Sequence, residues 1–287
     1  MSAPAGHDRH AAATALHWLH RHPIDRRDAP ALPLADEAWF HAMLLERFST
    51  LCPADVPAWE GTLNALLDTA RQPAPPAARQ HPAAEADDLL GTAMLAHLLH
   101  VRAPGDKAAR HLVERLAPRL RTASLPPLHA LCLAHNLHEL GEHDLAGALR
   151  PPRDADQAAA GLTGAERLLT QAYFHTHVVL FAFGTFRRPD ADPAPLAGSV
   201  RFLRRHAPAF ARYGWADLCA EAALSLSLCA ARDEDFRLLI AALHGSQRPE
   251  GDWTHPRVDA RQARHATMMA SLALLESARH STAAARG

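Results

Sequence analysis

Two kinds of predicted helix alternate along the chain, and this alternation limits its fold more than any other feature. Helical periodicity, interrupted by Pro and Gly, predicts about twelve helices. The helices around 106–121 and 193–211 carry many Arg residues and are amphipathic. Every second helix is instead rich in apolar side chains; these begin near residues 36, 85, 124, 162, 214 and 258. Buried inner helices that alternate with half-exposed outer helices would explain the contrast.

The apolar helices recur at intervals of roughly 40–50 residues, so the repeating unit is a pair of helices. Such units stack as helical hairpins. Six of them can close into an (α/α)6 toroid, which is the predicted all-α fold. An open solenoid or an irregular bundle also fits, because the units are not similar to one another in sequence. We expect one domain over 1–287, with flexible tails at 1–9 and 281–287.

Composition supports helices and argues against strands. Ile occurs only as Ile24 and Ile240, while Ala and Leu make up most of the 48% of hydrophobic residues. Strands favour β-branched and aromatic residues, whereas Ala, Leu and Arg favour helices. The Pro-rich segments 23–35 and 72–82 are expected to be loops or linkers.

Charge and cysteine usage narrow the partners and the compartment. The net charge of −1 provides no field that would attract nucleic acid or anionic lipid. No uncharged apolar run reaches the about 18 residues of a membrane span, and the N-terminal MSAPAGHDRH lacks the apolar core of a signal peptide. No C-x-x-C pair occurs. We expect a reduced cytoplasmic protein that binds neither nucleic acid nor membrane; the sequence leaves its oligomeric state open.

A tight motif joins two of the later predicted helices. SQRPEGDW (246–253) holds Gln247, Gly251 and Trp253 in a Q-x-x-x-G-x-W spacing. It resembles the QW motif of terpenoid cyclases and protein prenyltransferases, which joins an outer helix to the next inner helix of an α/α toroid. The resemblance covers one repeat. It implies that the Gln side chain bonds backbone groups at a helix end and that the Trp ring stacks over it.

The chemistry of those families is not implied by the motif. The acidic D-x-D-D and D-D-x-x-D motifs of the cyclases are missing, and only ADD at 86–88 comes near them. Asp217-Leu218-Cys219 and His265 resemble in type the zinc ligands of the prenyltransferases. Their separation is shorter than in that family, and neither the partner subunit nor the basic diphosphate-binding cluster is recognisable. The prenyltransferase activity therefore does not carry over.

The stretch YFHTHVVLFAFGTF (173–186) is the most distinctive in the chain. Tyr173, His177, Phe181 and Gly184 share one helical face, with Thr176 beside them. An aromatic face with a ligand-type side chain is typical of a pocket wall. The T-H-x-x-x-F pattern is similar to that of an uncharacterised bacterial family found in natural-product gene neighbourhoods. In that family it runs on into T-D-F-G, whereas this chain has FGTF without the Asp.

A central site is predicted where three successive inner helices meet. Asp217 and Glu221 are i, i+4 and share a face. The predicted catalytic residues are His177, Asp217, Glu221 and His265. The predicted substrate-binding residues are Tyr173, Thr176 and Phe181. The set could hold Zn²⁺, Fe²⁺ or Mn²⁺ through His177, Asp217 and His265, or act without metal as general acid and base.

Structural roles for the same residues remain open at this point. A buried His or Thr is often satisfied by a nearby carbonyl, Asp217 could cap its helix, and Glu221 could pair with an Arg. His135 and His138 form another cluster, which either packs within a hairpin or adds to the central site.

Two functions follow from these alternatives. The leading one is an enzyme of bacterial specialised metabolism that acts on a small molecule or a short peptide. The other is a non-catalytic binding or scaffold protein that holds a partner protein or a carrier-tethered peptide. No G-x-S-x-G, P-loop or G-x-G-x-x-G is present, which argues against hydrolase, NTPase and dinucleotide roles of those classes.

Overall fold

The structure, a computed structural model, describes residues 5–25, 29–72, 82–253 and 259–284. In these ranges the backbone forms thirteen α-helices, one 3-10 turn at Ala194–Leu196 and no strand. The all-α prediction is confirmed. Across the same ranges, no helix combines the length and the apolar character needed to cross a membrane. Most of the predicted linker at 72–82 lies outside the described residues.

The helices range in length from 4 to 25 residues. Their bounds are α1 Ala5–Arg21, α2 Ala31–Phe48, α3 Val56–Arg71, α4 Pro82–Arg102, α5 Lys107–Leu120, α6 Pro127–Glu139, α7 His143–Ala148, α8 Ala155–Ala158, α9 Gly164–Ala182, α10 Ala197–Tyr213, α11 Ala216–Leu228, α12 Glu234–Ser246 and α13 Ala260–Ala284.

Backbone packing divides the chain into two compact units. The first unit combines residues 1–23 with residues 172–287, and the second unit is the continuous stretch 24–171. The boundary between them falls within α9. The single toroidal domain expected over 1–287 stays a prediction.

In the first unit, two helices are buried nearly all round. Residues 218–227 of α11 are all buried, as is most of α13 between 263 and 278. α13 packs against α1 and α11, and α12 packs against α10 and α11. By contrast, α10 and α12 bury only one face. The buried and half-exposed helices therefore alternate along this part of the chain.

In the second unit, α2 packs closely against α4, and α4 also contacts α5 and α6. The two helices approach closely at Gly91 of α4, where an added Cβ would come within 2.2 Å of the backbone nitrogen of Leu32. Only glycine permits this approach. α2 begins five residues earlier than the Pro-rich sequence suggested, since Pro30 precedes it and Pro33 lies in its first turn, where a missing N–H costs nothing.

The turn at 246–253 ties α12 to α1. The side-chain amide nitrogen (Nε2) of Gln247 donates to the carbonyl oxygens of Ala11 and Gly251, both at 3.0 Å. The indole N–H of Trp253 donates to the Leu243 carbonyl at 2.9 Å, near the end of α12. Gly251 has φ +103°, and a Cβ there would lie 2.6 Å from the Thr14 carbonyl oxygen. Of these contacts, only that of Trp253 is at a helix end, because Ala11 and Thr14 lie within α1.

Helical residues extend into both segments that were expected to be tails. α1 already begins at Ala5, and α13 continues to Ala284. Asp8 is buried and bonded to His244 and Ser277, which anchors the first turns of α1.

Candidate functional site

The predicted site residues of α9 all lie in the first unit. Tyr173, His177 and Phe181 follow one another at i, i+4 spacing on one face of the helix, with Thr176 beside them. The Nδ1 atom of His177 is 2.6 Å from the Tyr173 carbonyl oxygen one turn earlier. The Phe181 ring centroid lies 5.6 Å from that of His177. The Thr176 hydroxyl, fully buried, points to the neighbouring α11. Gly184 lies beyond the helix end, in a left-handed conformation at φ +56°.

Glu221 is the centre of the arrangement. Its side chain is only 4% exposed. The Thr176 hydroxyl donates to Oε2 at 2.7 Å, and Nε2 of His265 lies 3.6 Å from Oε1. Burial opposes ionisation, but His265, the nearby charge of His177 and the Thr176 hydroxyl outweigh it, so the pKa of Glu221 is held below its ordinary value. The carboxylate is therefore ionised at neutral pH.

Tyr173 and Asp217 form a second contact between the same two helices. The Tyr173 hydroxyl donates to Oδ2 of Asp217. Burial, followed by the charges of Asp217 and Glu221, raises the pKa of Tyr173 well above its ordinary value. Burial and Asp217 also raise the pKa of the Cys219 thiol to about 12. The phenol therefore stays protonated, and the thiol is no thiolate nucleophile at neutral pH.

These contacts bring together residues that the sequence placed on three helices. We name them the Glu221 cluster: Tyr173, Thr176, His177, Asp217, Glu221 and His265. Asp217 is not the cap of α11, because Trp215 occupies the cap position and Asp217 lies in the first turn. The partners of Glu221 are a hydroxyl and an imidazole rather than an Arg. The shared face of Asp217 and Glu221 meets the pair Tyr173 and Thr176 on α9.

A different group of side chains lies close enough together to hold a metal ion. In the described ranges, the one set of three or more His, Cys, Asp or Glu ligand atoms within 4.8 Å of one another belongs to His7, Asp8 and His244. The metal role of His177, Asp217 and His265 stays a prediction. The sequence pattern does not single out His7, Asp8 and His244, because His7 and Asp8 fall in a segment expected to be a tail.

The buried carboxylate of Glu276 is another group that the sequence pattern did not single out. Glu276 on α13 accepts from Ser227 at 3.0 Å, and both its oxygens are bonded by Arg279, at 2.9 and 3.1 Å. Nε2 of His280 lies 2.7 Å from Oε1. The i, i+3 and i, i+4 spacing of E-S-A-R-H was the signal that could have revealed it.

The histidines of α6 have partners within the second unit. The His135 ring lies edge-on to that of His97, with 6.1 Å between centroids, and His138 contacts His143. The same unit contains a cavity of about 360 Å³ lined by residues that include Arg121, Leu149 and Arg150. No residue of the Glu221 cluster lines it.

Comparison of the chain with models of protein families, with curated proteins and with solved structures finds no match.

Proposed function

We propose that this chain is an enzyme that acts on a small organic molecule or a short peptide by general acid–base chemistry at the Glu221 cluster. One observation carries the proposal: a buried, ionised carboxylate lies behind a partly accessible imidazole. Glu221 is 4% exposed, whereas the His265 side chain is 34% exposed. A buried carboxylate in this position orients an imidazole and stabilises the imidazolium that forms when it takes a proton.

Each residue of the cluster has a distinct proposed role. His265 is the general base that reaches the substrate, and Glu221 is its positioning residue. The Thr176 hydroxyl holds the other carboxylate oxygen in place at 2.7 Å. Tyr173, kept protonated and bonded to Asp217, is proposed to line the substrate pocket, and Phe181 forms part of the wall beside His177.

A divalent metal is the other route by which the same residues could work. His177, Asp217 and His265 offer the imidazole and carboxylate ligands that suit Zn²⁺ or Fe²⁺, and a bound ion would supply Lewis-acid chemistry. The Nδ1 contact of His177 with a backbone carbonyl is the kind of bond that orients a ligating imidazole. Asp217, however, is already bonded by Tyr173.

The architecture proposed for the site remains an (α/α)6 toroid. It is supported by the alternation of buried and half-exposed helices and by the backbone contacts of Gln247 and Trp253. The scaffold function has less support, since it needs a broad exposed apolar patch. Among the described residues, the large hydrophobic side chains that are exposed are Tyr213 and Leu238.

The test is a comparison of turnover in complex mixtures. Tag-free protein is incubated with bacterial metabolite extracts and a short-peptide pool, and consumed and produced masses are followed by mass spectrometry. We expect conversions that His265→Gln lowers by about 10²–10⁴-fold, the range for loss of a general base. Glu221→Gln should lower kcat more than KM, because Glu221 does not touch substrate. His17→Gln, at an exposed position of α1, is the matched control.

Two results would overturn the proposal. One is a conversion that proceeds equally well in His265→Gln. The other is a ligand that binds the wild-type and the variant with equal affinity and is never converted, which favours the scaffold function. Removing metals with a chelator separates the two routes, since turnover survives if the cluster works as acid and base and is lost if it works through a metal.

A further inference from the structure

Where α1 and α12 meet within the first unit, the ring of His7 lies close to that of His244. Their centroids are 4.3 Å apart, and the ring planes are tilted by 46°. Asp8 follows His7 and contributes a carboxylate to the same point. The three ligand atoms of these residues all lie within 4.8 Å of one another. Ligands bound tetrahedrally to zinc at about 2.0–2.1 Å are themselves about 3.3 Å apart, so small side-chain rotations suffice to reach that geometry.

The carboxylate of Asp8 is buried and held from both sides. Its side chain is 2% exposed. Nε2 of His244 lies 2.6 Å from Oδ1, and the Ser277 hydroxyl of α13 donates to Oδ2 at 2.8 Å. Acidic groups at a protein surface often cluster without binding any ion, but Asp8 is not at the surface. A second hydrogen bond that orients a ligating carboxylate is a regular feature of metal sites.

We propose that His7, Asp8 and His244 bind one divalent transition-metal ion of the zinc class. Two imidazoles and one carboxylate are ligands that Zn²⁺ prefers in proteins. Three protein ligands leave a fourth position of a tetrahedral ion for water. His7 is exposed, which provides a path for the ion from solvent, while His244 and Asp8 form the inner side.

The bound ion would link the beginning of α1 to the last turn of α12, with Ser277 of α13 behind them. A ligand that binds only the folded state raises its stability by mass action. The site therefore predicts a metal-dependent rise in the melting temperature of the protein. This inference does not depend on the function proposed for the Glu221 cluster.

The experiment uses the full chain without a His tag, stripped of metal by a chelator and titrated with Co²⁺. We expect visible absorption bands of a bound cobalt ion, which Zn²⁺ displaces. His7→Ala should weaken the affinity of this ion at least about tenfold, since one of three ligands is lost. The matched control is His17→Ala, because His17 is also an exposed histidine of α1 and should leave the titration unchanged.

A further variant shows whether the cobalt ion binds at this site or at the metal ligands predicted in the Glu221 cluster. His177→Ala should leave the ion at His7, Asp8 and His244 in place. The proposal is overturned if the wild-type protein binds no cobalt, or if His7→Ala binds it as tightly as the wild-type protein. It is also overturned if His177→Ala alone removes the absorption bands. Because His7 is exposed, its replacement should not disturb folding, and circular dichroism checks this.

Discussion

Two buried glutamates of the first unit have different partners. Glu221 and Glu276 are 4% and 0% exposed, and each lies beside a histidine. Glu276 is bonded at both oxygens by Arg279 of its own helix, and an Arg keeps its charge at any relevant pH. Glu221 is bonded by a hydroxyl of α9 and faces an imidazole of α13. The first arrangement is typical of a permanent structural pair, and the second of a site whose charge can change during a reaction.

The largest expected difference between the two is in stability. Glu276→Gln should lower the free energy of unfolding by about 3 kcal/mol, because it leaves Arg279 without its buried partner. Glu221→Gln should cost only about 1–2 kcal/mol, since histidines can lose their protons. Urea unfolding of both variants at neutral pH measures the two values. Equal losses of unfolding free energy in the two variants would mean that Glu276 is no more a structural ion-pair partner than Glu221.

Single hydroxyls provide a finer test of the same comparison. Thr176→Val keeps the shape of the side chain but removes the 2.7 Å bond to Glu221, and should cost about 1.5 kcal/mol. Ser227→Ala should cost only about 0.5 kcal/mol, because Glu276 keeps Arg279 and His280. Both are measured by urea unfolding. The opposite order would mean that Glu221 has a further strong partner.

The stabilisation by Glu221 should also depend on pH. The folded state holds the pKa of its carboxyl below the ordinary value of 4.5. Its contribution is complete above 4.5 and is lost as the pH falls through the lower folded pKa. The gap in unfolding free energy between wild-type and Glu221→Gln protein should therefore narrow between pH 5 and pH 3. A gap that stays constant over this range would show that the charge of Glu221 adds nothing to stability.

The smallest expected effect is on the titration of His280. Burial lowers the pKa of His280 below its ordinary value of 6.5; Glu276 opposes this, while Arg232 and Arg279 add to it. In Glu276→Gln the opposing charge is lost, so the midpoint should move lower still. Proton NMR of the imidazole follows the shift. Glu221→Gln serves as the control and should leave the midpoint of His280 where it is in the wild-type protein.

Local spacing made part of this molecule predictable. The shared face of Asp217 and Glu221 follows from helical geometry alone. Gly214 marks the break before α11, which was predicted to begin near 214 and begins at Ala216. Local patterns misled at α2, where Pro30 and Pro33 suggested a loop but lie at a helix start. α8 was missed because one turn, capped by Asp154, is too short to show periodicity.

The sequence predicted that residues of α9, α11 and α13 share a site, but the individual bonds between distant residues could not be predicted. The contact of Tyr173 with Asp217 depends on how α9 is rotated about its axis, and no local pattern specifies that angle. The bond between Asp8 and His244 joins residues that are 236 positions apart. Those partners are set by tertiary packing, which overrides local preference.

The bond of Gln247 to the Ala11 carbonyl also spans 236 positions, and this has a consequence for biosynthesis. The second unit is one continuous stretch, so it can complete its packing while later residues are still being translated. α1 is translated before the second unit, yet α13, which packs against it, is translated after that unit. Its apolar residues Ala12, Ala15 and Leu19 therefore stay without these neighbours until α13 has been made. During that interval a holding chaperone that binds nascent chains could bind this helix.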